Sequence, residues 1–433
     1  MNRKILQLAI PNILSDITIP LLGMVDIALM GNLGSKQQLG AVAIGTMIFN
    51  FIYWGFSFLR MGTSGFTAQA FGERNFKESI LIFSRGMLVC IIASFLLIAL
   101  QKPISVFSFY LIHGSAEVET FASSYFSIRI WSSPATIGLY VLYGWLIGMQ
   151  NAKLTMIIAV SVNVLNILLN WVLVYWLNMG IEGVAYGNLI AQYIGFSFAI
   201  WLFYKYYGKL LKHFNIKSVL DLKALKHFFS INSDIFIRTL CLIFAFTYFT
   251  ARSASVNDTI LAANTILLQF LTLFSYFIDG FAFAAEALVG KFIGARNTKS
   301  LYLVIKKLFV WGFVISLLFT ALYFFAGNYI LQLISKDTAT ILLANQFLGW
   351  VVLIPIVSFA AFLWDGIYIG ATASKAMRNS MIIVVFLIYF PAILIFYPIL
   401  GNHAIWLGMI LFMLGRSLFL TFLSKHQIFT IKY

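Results

Sequence analysis

Charge is what this chain has least of. Only 10% of its 433 residues are Asp, Glu, Lys or Arg, and the acids number 14, where an ordinary soluble domain carries about 25% charged residues. That scarcity excludes a soluble protein with a fully hydrated surface. Cysteine is nearly absent too: Cys90 and Cys241 both lie in apolar stretches, so a disulfide framework has no support. No HExxH, paired CxxC or GxxxxGK[ST] occurs. A zinc site and a nucleotide-phosphate loop therefore have no footing, no metal or cofactor is expected, and any work must draw on an ion gradient or a separate motor. The five histidines fall in connections or tails, a poor arrangement for a proton relay. With no nucleophile motif either, an enzyme is not expected.

What fills the chain is hydrocarbon. Hydrophobic residues make up 61% of it, gathered in blocks of about 20, each long enough to cross a ~30 Å core as a helix. The pattern predicts an all-α polytopic membrane protein with twelve spans, at 6–31, 42–68, 83–101, 122–148, 155–177, 183–206, 229–251, 260–288, 303–325, 343–370, 380–400 and 405–424. The formal net charge of +15 is concentrated in alternate connections, including Arg74, Lys77 and Arg85, then Lys205 through Lys226, then Lys291 through Lys307. That is the positive-inside pattern. It predicts a multi-pass protein of the cell inner membrane with both termini cytoplasmic, attracted to membrane lipids rather than nucleic acid. Pro11, Asn12 and Asp16 interrupt the N-terminal apolar run, which reads as the start of the first span and not as a signal peptide.

The basic segment 207–228 divides the spans six and six, giving lobes at 1–206 and 229–433. The halves repeat at one offset. Gly72-Glu73-Arg74-Asn75 recurs 222 positions on as Gly294-Ala295-Arg296-Asn297, and Gly144 and Gly148 recur as Gly366 and Gly370. Six spans per copy keep both copies in one orientation, related by a pseudo-twofold axis along the membrane normal, an organisation found in secondary transporters. The ionisable residues do not repeat: Asp26 matches Tyr248, Asp279 matches Ser57, Glu286 matches Ser64 and Asp365 matches Tyr143.

A carboxylate at mid-membrane costs roughly 2.5–3.5 kcal/mol, so each buried acid needs a partner or a task. Asp26, in the first span with Pro11 and Pro20, is a candidate proton or cation site, with a structural ion pair or a capped helix end as the alternative. Asn163, Asn166 and Asn170 lie at spacings of 3 and 4 on one face of the fifth span, suited to binding a cation or carboxyl or to bonding between helices. The second half carries Arg238, Asp279, Glu286 and Asp365 as a candidate polar site, in which Arg238 neutralises an acid. Asp16 reads as structural, and Asp234 joins the second-half acids of which Arg238 could neutralise one.

Pro11-Asn12-Ile13-Leu14, followed by Pro20-Leu21-Leu22-Gly23-Met24-Val25-Asp26, resembles the opening of multidrug and toxic compound extrusion transporters. Phe58-Leu59-Arg60-Met61-Gly62-Thr63, Asp279-Gly280-Phe281-Ala282 and Asp365-Gly366-Ile367-Tyr368-Ile369-Gly370 resemble the branch of that family named for DNA-damage-inducible protein F. The resemblance implies two six-helix lobes around a V-shaped central cleft, alternating access, and a monomer. It also implies efflux of small organic cations or amphiphiles in exchange for H⁺ or Na⁺. It makes Asp26 the cation site, accompanied by Asn166 and Asn170. Some relatives carry aspartate where this chain has Asn170; its absence favours H⁺. A lipid-linked oligosaccharide flippase of the same superfamily is the competing expectation, for which Arg60, Arg129, Arg238 and Arg416 would serve the pyrophosphate.

Overall fold

The computed structural model describes residues 1–31, 36–112 and 115–429, with the side chains at 24, 26–28, 30 and 36 outside that description. The first half contains α1 (Asn2–Gly31), α2 (Lys36–Gly55), α3 (Ser57–Gly72), α4 (Phe76–Ala99), α5 (Gln101–Leu111), α6 (Ala116–Arg129), α7 (Ser133–Gly148), α8 (Ala152–Trp171) and α9 (Gly180–Tyr207). After the short α10 (Ile216–Val219) come α11 (Leu222–Ala254), α12 (Asp258–Gly294), α13 (Thr298–Ile334), α14 (Thr338–Gly370), α15 (Ser374–Ile383), α16 (Phe390–Leu400) and α17 (Asn402–Gln427). Wide π turns at Val172–Trp176 and Val384–Tyr389 extend α8 and join α15 to α16.

Polar residues start the helices. The side chains of Asn75, Asn151, Asn257, Asn297 and Asp337 each accept a hydrogen bond from the amide three residues on, closing an otherwise open donor. Among the described residues, eleven helical segments are long and apolar enough to cross a membrane. The sixth expected span coincides with α9, whose 28 residues rise about 42 Å; Gly183, Gly187, Asn188 and Gln192 dilute its hydropathy. The expected edges fall short elsewhere: α11 begins at Leu222, inside the basic segment, and α13 runs to Ile334. An amphipathic first turn keeps a helix going after its hydropathy has faded.

Packing sorts the chain into two compact units, one of Leu14–Phe228 and one of Met1–Ile13 with Phe229–Tyr433. The first has an aromatic core in which Phe83 stacks on Phe203 with centroids 4.6 Å apart, and Trp145 sits edge-on to Phe203 at 5.0 Å. In the second, Phe249 meets Trp406 at 5.0 Å and Phe270 meets Tyr323 at 4.9 Å. Buried Asn264 and Asn402 exchange hydrogen bonds of 2.7 and 3.1 Å, while Trp406 Nε1 donates to Asn264 Oδ1 at 2.9 Å. Such a satisfied network holds helices in register without leaving open polar groups.

The repeat is visible in atomic detail. A Cβ on Gly144 would lie 2.2 Å from the carbonyl oxygen of Arg60, and one on Gly366 would lie 2.2 Å from that of Ala282, the matching residue. Close backbone approach fixes both positions as glycine. Arg74 and Arg296 both take positive φ (59° and 52°), as do Gln150 and Thr372 (65° and 53°). Each ends its helix with a bond back from the next amide: Asn75 to Ala70, Asn297 to Phe292, Asn151 to Leu146 and Ala373 to Tyr368. This is the left-handed helix terminus usually given to glycine, built four times at two pairs of equivalent positions.

Candidate functional site

Each unit holds one buried polar cluster that contains candidate residues. In the Leu14–Phe228 unit, α8 carries the asparagine stripe. Asn166 and Asn170 are 1% and 0% exposed, and Asn170 Nδ2 donates to Asn166 Oδ1 at 3.1 Å, one helical turn apart. Asn166 Nδ2 has no hydrogen-bond partner among the described residues. Asn163, half-buried, donates across to Thr18 Oγ1 of α1 at 2.5 Å. One further bond ties the same helices: Tyr175 Oη donates to the Leu29 carbonyl at 3.3 Å.

Those two anchors fix a register. Between Thr18 and Leu29, α1 runs alongside α8 and its π turn, both ascending in chain order. Asp26 stands eight residues beyond Thr18, about 12 Å along the axis; eight beyond Asn163 is Trp171, next to Asn170. The backbone of Asp26 thus falls about level with Asn170, and more than a turn beyond Asn166, while its side chain lies outside the described residues. α1 continues as helix through Pro11 and Pro20.

In the second unit, α11, α14 and α17 bring Arg238, Asp365 and Arg416 together, only 6%, 6% and 2% exposed. Asp365 Oδ2 accepts from both Arg238 Nη2 and Arg416 Nη2, the latter at 2.5 Å. Arg416 also lies over Phe412 at 5.3 Å, and Asp279 sits on α12. Glu286 is buried on α12, its backbone carbonyl 2.6 Å from a Cβ on Gly370. Asp234 accepts from Arg378 Nη1 at 2.5 Å and from Ser374 Oγ at 2.8 Å.

Of the candidate residues named from the sequence, Arg238 and Asp365 are therefore joined, and Asn166 and Asn170 are joined. Asn163 reaches α1. Sequence reading did not assign Arg416 to Asp365, or Thr18 and Tyr175 to the α1–α8 seam. A signal existed for the first: an arginine amid Met413, Leu414 and Leu418 must find a carboxylate, though nothing in the spacing says which. The described residues contain no group of His, Cys, Asp and Glu able to hold a metal ion.

Two copies of one helical plan, each spanning repeatedly and each with buried polar groups of its own, define a membrane carrier of the internally repeated class. The MatE family model matches residues 11–172 and again 235–395, one match per copy, and the chain belongs to that family. It is 36% identical to DNA damage-inducible protein F of Escherichia coli strain K12 over 421 residues, covering 96% of this chain and 90% of that protein. It is 25% identical to multidrug and toxin extrusion protein 1 of Danio rerio over 431 residues, covering 96% and 70%. The fold matches a multidrug resistance MATE family transporter solved in an outward-facing conformation, with a TM-score of 0.89 at 17% identity over 99% and 96% of the two chains. The protein is an efflux transporter of this family, and not an enzyme.

Proposed function

We propose that the chain exports small organic cations or amphiphiles by H⁺ antiport, with Asp26 carrying the proton and Asn166 and Asn170 beside it. The observation that carries this is the α1–α8 register, which sets position 26 about level with buried Asn170, itself hydrogen-bonded to Asn166 one turn back. The repeat supports the same neighbourhood. The position matching Asp26 is Tyr248, and its ring lies 4.9 Å from Phe390, which matches Leu168 of α8. Hydrocarbon disfavours a charged carboxylate, so the proton and a cationic substrate compete for one group.

One proton moving down 100 mV releases about 2.3 kcal/mol. That supports somewhat over tenfold accumulation of a neutral substrate at 1.4 kcal/mol per decade; a monovalent cation exchanged one for one gains only from the pH difference. The polar cluster of the other unit is structural in this reading, because Asp365 is bound by two arginines. The same pairing leaves Arg238 and Arg416 committed, which disfavours a flippase needing them for pyrophosphate. Basic connections support an inner-membrane carrier with cytoplasmic termini.

The test is ethidium efflux from energised vesicles under an imposed pH gradient, with and without Na⁺. Wild type should export without Na⁺ and Asp26→Asn should not. Export that requires Na⁺ would replace H⁺ as the coupling ion, and equal export by both proteins would remove Asp26 from the mechanism.

A further inference from the structure

One slot of the repeat is filled in the first half and open in the second. In the first, Phe83 and Phe203 stack and Trp145 packs against them, its Nε1 donating to the Ser79 carbonyl at 2.9 Å. The matching residues, 222 positions on, are Ile305, Lys425 and Ile367. Of these, Ile305 lines a groove of about 690 Å³ between α13, α14 and α17, within the ~300–1,000 Å³ range of small-ligand sites. Phe309, Phe313, Phe359 and Trp364 wall it, with Trp364 Nε1 bonded to Thr421 Oγ1 at 2.7 Å. Among the described residues no acid lines it, and its one charge is Lys306.

The polarity runs along the helix. Tyr302, Lys306, Phe309 and Phe313 share a face of α13 at spacings of 4, 3 and 4, with Lys299 one turn before them at its basic end. From Tyr302 to Val314 the rise is about 18 Å, close to the ~15 Å of one leaflet's hydrocarbon. Val310 and Phe313 are 50% and 47% exposed, so the groove opens towards the membrane.

We propose that this groove holds an acyl chain of an anionic phospholipid, with its phosphate on the Lys306 ammonium. A cationic substrate would meet Lys306 and no balancing acid. A zwitterionic lipid would fill the groove without using the charge. The site is independent of the transport reading above.

The protein is reconstituted in phosphatidylcholine vesicles containing dibrominated-acyl phosphatidylglycerol or dibrominated-acyl phosphatidylcholine. Trp364 quenching is isolated by difference against Trp364→Phe. One lysine near a headgroup supports about a fivefold preference, so phosphatidylglycerol should compete about that much better in wild type. Lys306→Arg should keep the preference, and Lys306→Gln should bring the ratio near one. Equal competition in wild type, or an unchanged ratio in Lys306→Gln, overturns the proposal. Absence of quenching by either lipid means the chain itself closes the groove, and relief of quenching by ethidium means a substrate occupies it; each also overturns it.

Discussion

The two halves share a helix plan and differ in where they break. In the first half, α2 and α3 part at Phe56, α4 and α5 at Leu100, and a 3₁₀ turn at Ile130–Ser132 separates α6 from α7. The matching positions (Ile278, Leu322 and Val352–Ile354) lie inside unbroken α12, α13 and α14, even though Pro355 sits within α14. The reverse holds at one place. The π turn at Val384–Tyr389 matches a regular stretch of α8 that carries Asn163 and Asn166. Irregular turns are where helices give way. The first half thus combines more frequent helix interruptions with a buried amide pair, and the second combines longer helices with a buried ionic cluster. Duplication supplied one scaffold, and the side chains that fail to repeat divided compliance from rigidity.

The largest effect should come from opening the ionic cluster. Asp365→Ala leaves two buried arginines without their carboxylate and should cost about 3–5 kcal/mol, whereas Asp26→Asn should leave stability nearly unchanged. Thermal unfolding in one detergent compares them, and equal losses would erase the distinction between the halves. Next come the shared glycines. Gly144→Ala and Gly366→Ala both drive a methyl into a backbone carbonyl at 2.2 Å, so each should cost about 1–3 kcal/mol and the two should agree closely. A large inequality would mean that the scaffold is less symmetric than its geometry.

Most of the scaffold was legible because backbone geometry repeats with sequence. The glycine pairs and the two Gly-x-Arg-Asn segments recur at one offset in the sequence, and the structure places both as matched pairs. The interruptions were not legible. Gly55 stands before Phe56, and Pro103 and Pro134 follow Leu100 and the Ile130–Ser132 turn, but Pro355 leaves α14 unbroken, so a breaker alone does not say where a helix parts. The site was legible as a face and not as a seam: a 3–4 spacing reveals that Asn163, Asn166 and Asn170 point one way, but which helix they meet depends on chain crossings that local sequence does not encode. Arg416 joined Asp365 for the same reason, across 51 residues.

Smaller substitutions sharpen the comparison. Asn163→Ala removes the bond to Thr18 and should cost roughly 0.6–1.7 kcal/mol of stability while slowing efflux. Val385→Ala, at the matching position, should leave efflux intact. Comparable slowing by both would detach transport from the α1–α8 seam. The smallest effects belong to the paired caps. Asn75→Ala and Asn297→Ala should each lose about 1 kcal/mol, equally in both halves, read by the same unfolding assay.

The most direct measurement of the central claim is proton release when ethidium binds to the purified protein, followed in weakly buffered solution. Wild type should release up to about one proton per substrate bound, because binding shifts the protonation of Asp26. Asp26→Asn should bind ethidium and release none. Undiminished release from Asp26→Asn would remove the proton site from Asp26 and contradict the account.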